Sequence, residues 1–178
     1  MPQLPPVPAW SGLHPLIIHF PIALLLIAPL FLAIAGIMGW TKGRAYLISA
    51  LILLVLGTVS VFVAVESGEA AGKLAERTPA INAVLEHHQE LAERTQVTFT
   101  VLTLALGLWV VIAHFVPRLQ RRGIAAVAIA ILLAGSAYGA LSLADTAHNG
   151  GRLVHEHGVQ AMVAPSPSPP PAQEAKED

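Results

Sequence analysis

Four long apolar stretches alternate with short polar ones along this chain. Residues 15–39 and 45–65 form the first pair, with no charged side chain from Pro15 to Trp40 or from Ala45 to Val65. Residues 97–116 and 123–145 form the second, uncharged from Gln96 to Ala113 and from Gly123 to Ala144. Each is long enough to cross a hydrocarbon core, which takes about 20 residues as helix. Lipid offers no hydrogen bonds, so a spanning segment must satisfy its own backbone, and the helix does this. The pattern therefore predicts an all-α integral membrane protein with four transmembrane helices in a bundle.

Between the second and third stretches the period changes. In AINAVLEHHQELAER, residues 80–94, the side chains of Ile81, Val84, Leu85, His88, Leu91 and Ala92 share one face of a 3.6-residue period. Glu86, Glu90 and Glu93 take the opposite face, and His87 lies to the side. This predicts an amphipathic outer-loop helix lying over the mouth of the bundle, with His88 turned inward and Glu90 in water. The flanks differ again. Residues 1–12 are proline-rich and predicted irregular, with Trp10 placed as an interfacial anchor. The Pro/Ser-rich tail, residues 163–178, has a composition that cannot bury a core and is predicted disordered. The membrane domain occupies residues 13–162.

Charge sets the expected orientation. Only 12% of the 178 residues are charged, against about 25% in soluble domains. The two short connections carry Lys42 and Arg44, then Arg118, Arg121 and Arg122, and all eleven acidic residues lie elsewhere. The positive-inside rule puts both connections in the cytoplasm and both termini outside. No positive residue precedes the first stretch, which is longer than a signal-peptide core, so it is expected to be retained. There is no basic stripe of the kind that binds nucleic acid. With no cysteine, thiolate clusters, covalent c-type haem and disulfides are excluded.

This topology gathers His14, His19, His87, His88, His148, His155 and His157 at the outer end and leaves His114 at the other. Histidine is the commonest transition-metal ligand and titrates near neutrality. His14 precedes Pro15, which suits a first helical turn. His19 lies five residues on, about 500° around the helix, so the two imidazoles do not share a face. Pro21 frees the carbonyl of Ile17 and is expected to bend the helix below His19, and an ionisable group at that depth is expected to face the bundle interior. Asn149-Gly150-Gly151 is expected to end the fourth helix. A di-iron site would need Glu-x-x-His pairs on facing helices, and a zincin would need H-E-x-x-H. Neither is present, so a membrane hydrolase has little support.

The stretch His14-Pro15-Leu16-Ile17-Ile18-His19-Phe20-Pro21 resembles the opening of the bacterial membrane proteins of the domain-of-unknown-function 2231 family. His148-Asn149-Gly150-Gly151-Arg152-Leu153-Val154-His155-Glu156-His157-Gly158 resembles that family's closing motif, and Ser67-Gly68-Glu69-Ala70 also corresponds. The resemblance spans residues 13 to about 162. It implies that His14, His19, His88, His148 and His157 are the family's histidines. His155 stands where tyrosine is usual, and His87 has no counterpart. The resemblance also implies a redox setting, with a Rieske-type or cytochrome partner.

Two functional readings follow. In the first, the chain is a multi-pass bacterial inner-membrane redox or electron-transfer accessory protein, and not an enzyme on its own. It binds haem b, or Cu or Zn, through outer-face histidines. Haem iron takes axial ligands from facing helices, and His19 with His88 is the first choice of pair. His148, His157 and His14 complete the cofactor-binding set, and His19, His88, His148 and His157 are the candidate metal ligands. The alternative is a non-redox structural, assembly or metal-handling subunit whose buried histidines hydrogen-bond to the protein.

Overall fold

In a computed structural model, which describes residues 7–159, the chain is all helix, with no strand among those residues. Helix α1 is His14–Ile17, α2 His19–Gly72, α3 Pro79–Phe115 and α4 Arg122–His155, with 3-10 turns at Trp10–Gly12 and Pro117–Gln120. The helical stretches His14–Gly72, Pro79–Phe115 and Arg122–His155 are each long and apolar enough to cross a membrane. The tail expected at residues 163–178 and the first six residues lie outside the described part of the chain.

The longest stretch folds back on itself. At Gly39 the backbone takes φ 73° and ψ 171°, non-helical values inside α2. A Cβ would strain this conformation, and glycine has none. Helix resumes at once, so the expected polar connection of residues 40–44 is itself helical. The two arms then run side by side. A Cβ on Gly43 would lie 2.6 Å from the Ala35 carbonyl oxygen, and one on Gly57 would lie 2.4 Å from Leu25 Cδ2. Lipid supplies no hydrophobic force between helices, so membrane helices associate by close packing at small residues. Ala28, Ala35, Ala50, Gly43 and Gly57 are buried along this seam.

The separation between α1 and α2 follows from Pro21. Proline has no N–H to give the Ile17 carbonyl, and the helix is interrupted at Ile18. Ile18 keeps helical angles, φ −58° and ψ −23°, so the interruption is a missing bond and not a break in direction.

Two expected boundaries are overturned. The amphipathic segment 80–94 is helical, but it does not lie across the mouth as a separate element. It is the first part of α3, which runs unbroken into the apolar span of 97–116. Neither proline nor glycine occurs between Pro79 and Gly107, so nothing stops the helix. Thr78 starts it, its hydroxyl accepting from the Ile81 N–H at 3.3 Å, an N-cap of the kind worth about 0.5–2 kcal/mol. Likewise α4 does not stop at Asn149-Gly150-Gly151 but continues to His155. Each glycine costs about 1 kcal/mol of helix propensity, which tertiary contacts at Asn149 and Gly150 offset. The chain leaves the helix later, through Gly158 (φ 66°), with the Val159 N–H bonded to the Leu153 carbonyl at 2.9 Å.

The main core joins both arms of α2 to α3 through Leu25, Leu32, Leu47, Leu54, Phe99 and Leu106, all essentially inaccessible, and to α4 through the buried Ile129 and Leu132. Polar rungs cross it. Thr58 and Thr103 share a hydroxyl contact at 2.8 Å between α2 and α3, and Thr95 meets Ser142 at 2.9 Å between α3 and α4. A second, smaller cluster of Ile81, Val84 and Leu153, with Leu85 and Val159 against it, sits where the start of α3 meets the end of α4.

Candidate functional site

Two histidine rings meet at the end of the bundle away from Gly39. The His14 and His88 centroids are 6.5 Å apart, with ring planes at 89°. Each ring is anchored on a different helix. The His14 Nδ1–H donates to the Ala64 carbonyl at 2.9 Å, with the Ser67 hydroxyl 3.3 Å away. Ser67 is fully buried and donates to that carbonyl at 3.0 Å. The His88 Nδ1–H donates to the Thr146 carbonyl at 2.9 Å. Because a carbonyl only accepts, both histidines must carry a proton on Nδ1. In the neutral ring the lone pair is then on Nε2, and no hydrogen bond engages either Nε2 among the described residues.

Glycine makes this proximity possible. A Cβ on Gly68 would lie 2.9 Å from His14 Cε1, and a Cβ on Gly150 would lie 3.1 Å from His88 Cε1. Each ring thus lies against backbone where any larger residue would push it away. Gly150 is therefore a seat for His88 and not a helix stop. Asn149, buried beside it, donates from Nδ2 to the Asp145 carbonyl at 3.0 Å and accepts from Arg152 Nη1 at 3.3 Å.

His88 stands on the part of α3 outside the 97–116 span. Burial lowers its pKa below the ordinary 6.5; the bond to the Thr146 carbonyl works against this, and the neighbouring His14 adds to it. Its neutral form is favoured at pH 7, the form that binds metals.

The expected histidines divide sharply. His88 faces inward while Glu90 is exposed, as the period of residues 80–94 predicts. His19 is exposed, with its Nδ1 only 3.4 Å from the Leu16 carbonyl, so the expectation that depth buries it is overturned. Turned through about 500° from His14, it looks away from the face on which His14 packs. His148 is exposed too, as are His155, His87 and His114. His157 is half-buried, and its Nε2 is fully buried with no hydrogen-bond partner among the described residues. The structure thus brings His14 to His88 and leaves His19 and His148 outside. Among the described residues, no group of three or more His, Cys, Asp or Glu side chains is arranged to hold a metal ion. The arrangement offers two imidazole donors. Imidazole suits zinc, copper, iron and nickel.

Sequence reasoning gave no place in the site to Ser67, Gly68 or Thr146, and read Gly150 as part of a helix stop. The signal was present in Ser67-Gly68 and Gly150-Gly151, where small residues stand beside the histidine-bearing segments.

A family model described as "Predicted membrane protein (DUF2231)" matches residues 11–162. No curated protein and no solved structure matches the chain.

Proposed function

The chain belongs to the DUF2231 family of predicted membrane proteins, and on that premise we propose that it is a redox or electron-transfer accessory protein binding a metal centre through His14 and His88. The centre is haem b or a single Cu ion; bound Zn, which has no redox chemistry, would instead favour a metal-handling subunit. One observation carries the reading: both Nδ1–H groups are committed to carbonyls of a facing helix segment, Ala64 and Thr146. A metal-bound histidine almost always donates its other ring N–H in this way, which fixes its tautomer and orientation. Two neutral imidazoles suit haem iron, copper and zinc alike, and bound iron or copper would supply one-electron chemistry. The protein's part is to hold both rings, keep them neutral and cover them. A Rieske-type or cytochrome protein is the proposed redox partner.

An absorption spectrum with metal analysis of the detergent-purified chain tests this. A Soret band identifies haem, and stoichiometric Cu or Zn in colourless protein identifies a bare ion. Neither result in a cofactor-replete host overturns the reading. A structural subunit would then replace it, because the same two bonds pin α1 to the second arm of α2 and α3 to α4.

The pH dependence has a definite sign. Protons compete with metal for Nε2, and the His88 pKa lies below 6.5. Occupancy, followed by equilibrium dialysis, should therefore persist to lower pH than a site of ordinary histidines would allow, and fall on further acidification. Loss beginning above pH 7 would contradict a neutral, buried His88.

The topology we propose has four crossings, with the arms of α2 on either side of Gly39 as the first two, in the bacterial inner membrane. Lys42, Arg44, Arg118, Arg121 and Arg122 would then be cytoplasmic and both termini extracytoplasmic. A phosphatase reporter fused after Asp178 should be active outside the cytoplasm, and cytoplasmic reporter activity would invert the assignment.

A further inference from the structure

The end of the bundle opposite the histidine pair carries a cavity of different character. A groove of about 310 Å³ runs between the first arm of α2 and α4, lined by Ala33, Gly36, Ile37, Ala126, Ala130 and Leu133. Gly36, Ala126 and Ile129 also line a small cleft that continues it toward Gly39, Trp40, Trp109 and Arg122. The cleft holds about 10 Å³, the space of one water or one oxygen atom.

Three features of this cleft ask for an anion. Trp109 lines the cleft, and its Nε1, an obligate donor, is buried with no partner among the described residues. Arg122 lines the cleft, with Arg118, Arg121 and Lys42 exposed at the same end. The first turn of α4 starts here with no side-chain cap, so its N–H groups are open at the positive end of the helix dipole. The groove itself is apolar and too long for the anion alone. An apolar channel leading to a cationic, donor-lined head is the form of a lipid site, and basic pockets between membrane helices hold anionic head groups.

We propose that this groove binds an anionic phospholipid, with an acyl chain along Gly36, Ala126 and Ala130 and the phosphodiester at Arg122 and the Trp109 indole. The proposal rests on the membrane setting and is independent of the histidine pair. A second copy of the chain is the competing occupant. A two-fold interface would set the same patch against itself and bring the arginines of both copies together. A lipid phosphate neutralises them.

The test uses the full chain with Trp10→Phe, so that fluorescence reports Trp40 and Trp109, in nanodiscs of phosphatidylcholine. Phosphatidylglycerol with brominated chains should quench several-fold more steeply than brominated phosphatidylcholine at equal mole fraction, and excess inorganic phosphate should leave the quenching unchanged. Arg122→Gln should weaken the preference about fivefold, the worth of one basic residue at an anionic surface. Ala130→Leu, which fills the groove, should weaken quenching by the brominated chain. Equal quenching by the two lipids would overturn the proposal, a comparison that needs no variant. Competition by phosphate would reassign the site to a free anion and also overturn it. So would a dimer in native mass spectrometry that Ala130→Leu dissociates.

Discussion

His14→Ala and His88→Ala should each abolish binding at the proposed metal centre, while His19→Ala and His114→Ala leave it in place. With two donors, removing either leaves half a ligand set, and the loss should exceed the 10–100-fold typical of groups that only orient a ligand. Ser67→Ala belongs in that milder class, because Ser67 shares the Ala64 carbonyl with His14 and supports the ring without being a donor to metal. Gly150→Ala offers a check that leaves every histidine intact. Its new methyl carbon would lie 3.1 Å from His88 Cε1, so the ring must shift and occupancy should fall. Each variant is read by metal content and absorbance after purification. Retention in His88→Ala, or equal loss in His19→Ala, would remove the pair from the site. The contrast between His14 and His19 is the sharpest part, since the two stand five residues apart in one motif.

The second large effect is on stability. Gly43→Ala places a methyl carbon 2.6 Å from the Ala35 carbonyl oxygen. Backbone on both sides cannot rotate away as a side chain would, so the two arms of α2 must separate. Overpacking of this kind costs about 1–3 kcal/mol, and each step of separation also loosens Leu25 against Gly57 further along the seam. Gly123→Ala is the control. Nothing lies within 4 Å of its Cβ position, and alanine is the better helix former by about 1 kcal/mol. Equilibrium unfolding in mixed micelles should show the first variant destabilised and the second unchanged or more stable. Equal behaviour would mean that the arms are not packed at Gly43.

These contrasts also show what the sequence made legible. The apolar stretches were plain, because lipid enforces helix wherever charge is absent for long enough. The inward turn of His88 was plain too, because Ile81, Val84 and Leu91 share its face. Boundaries were harder. Glu93-Arg94 looks like the end of a loop helix, yet charge does not stop a helix that has left the hydrocarbon, and α3 continues through it. Gly150-Gly151 looks like a stop, but a glycine against which a ring packs is indistinguishable in sequence from one that ends a helix. His19 misled for a related reason: depth in the membrane does not say which side of the helix faces lipid. That depends on where the neighbouring arm lies, and the contact of His14 with Ala64 and Ser67 joins positions fifty residues apart.

The small cluster of Ile81, Val84, Leu85, Leu153 and Val159 lies beyond His88 on α3 and beyond Gly150 on α4, counting away from the main core. It therefore forms a roof over the two rings, as the Phe99–Leu106 core forms their floor. A ligand bound at the proposed pair would be covered by this cluster. Few side chains hold it, and they join the first turns of α3 to the last turns of α4, where helices fray most easily. Uncovering the rings would need only local opening at the helix ends and no unfolding of the membrane-embedded floor. Access to the proposed site would then be governed by five aliphatic side chains at the helix ends.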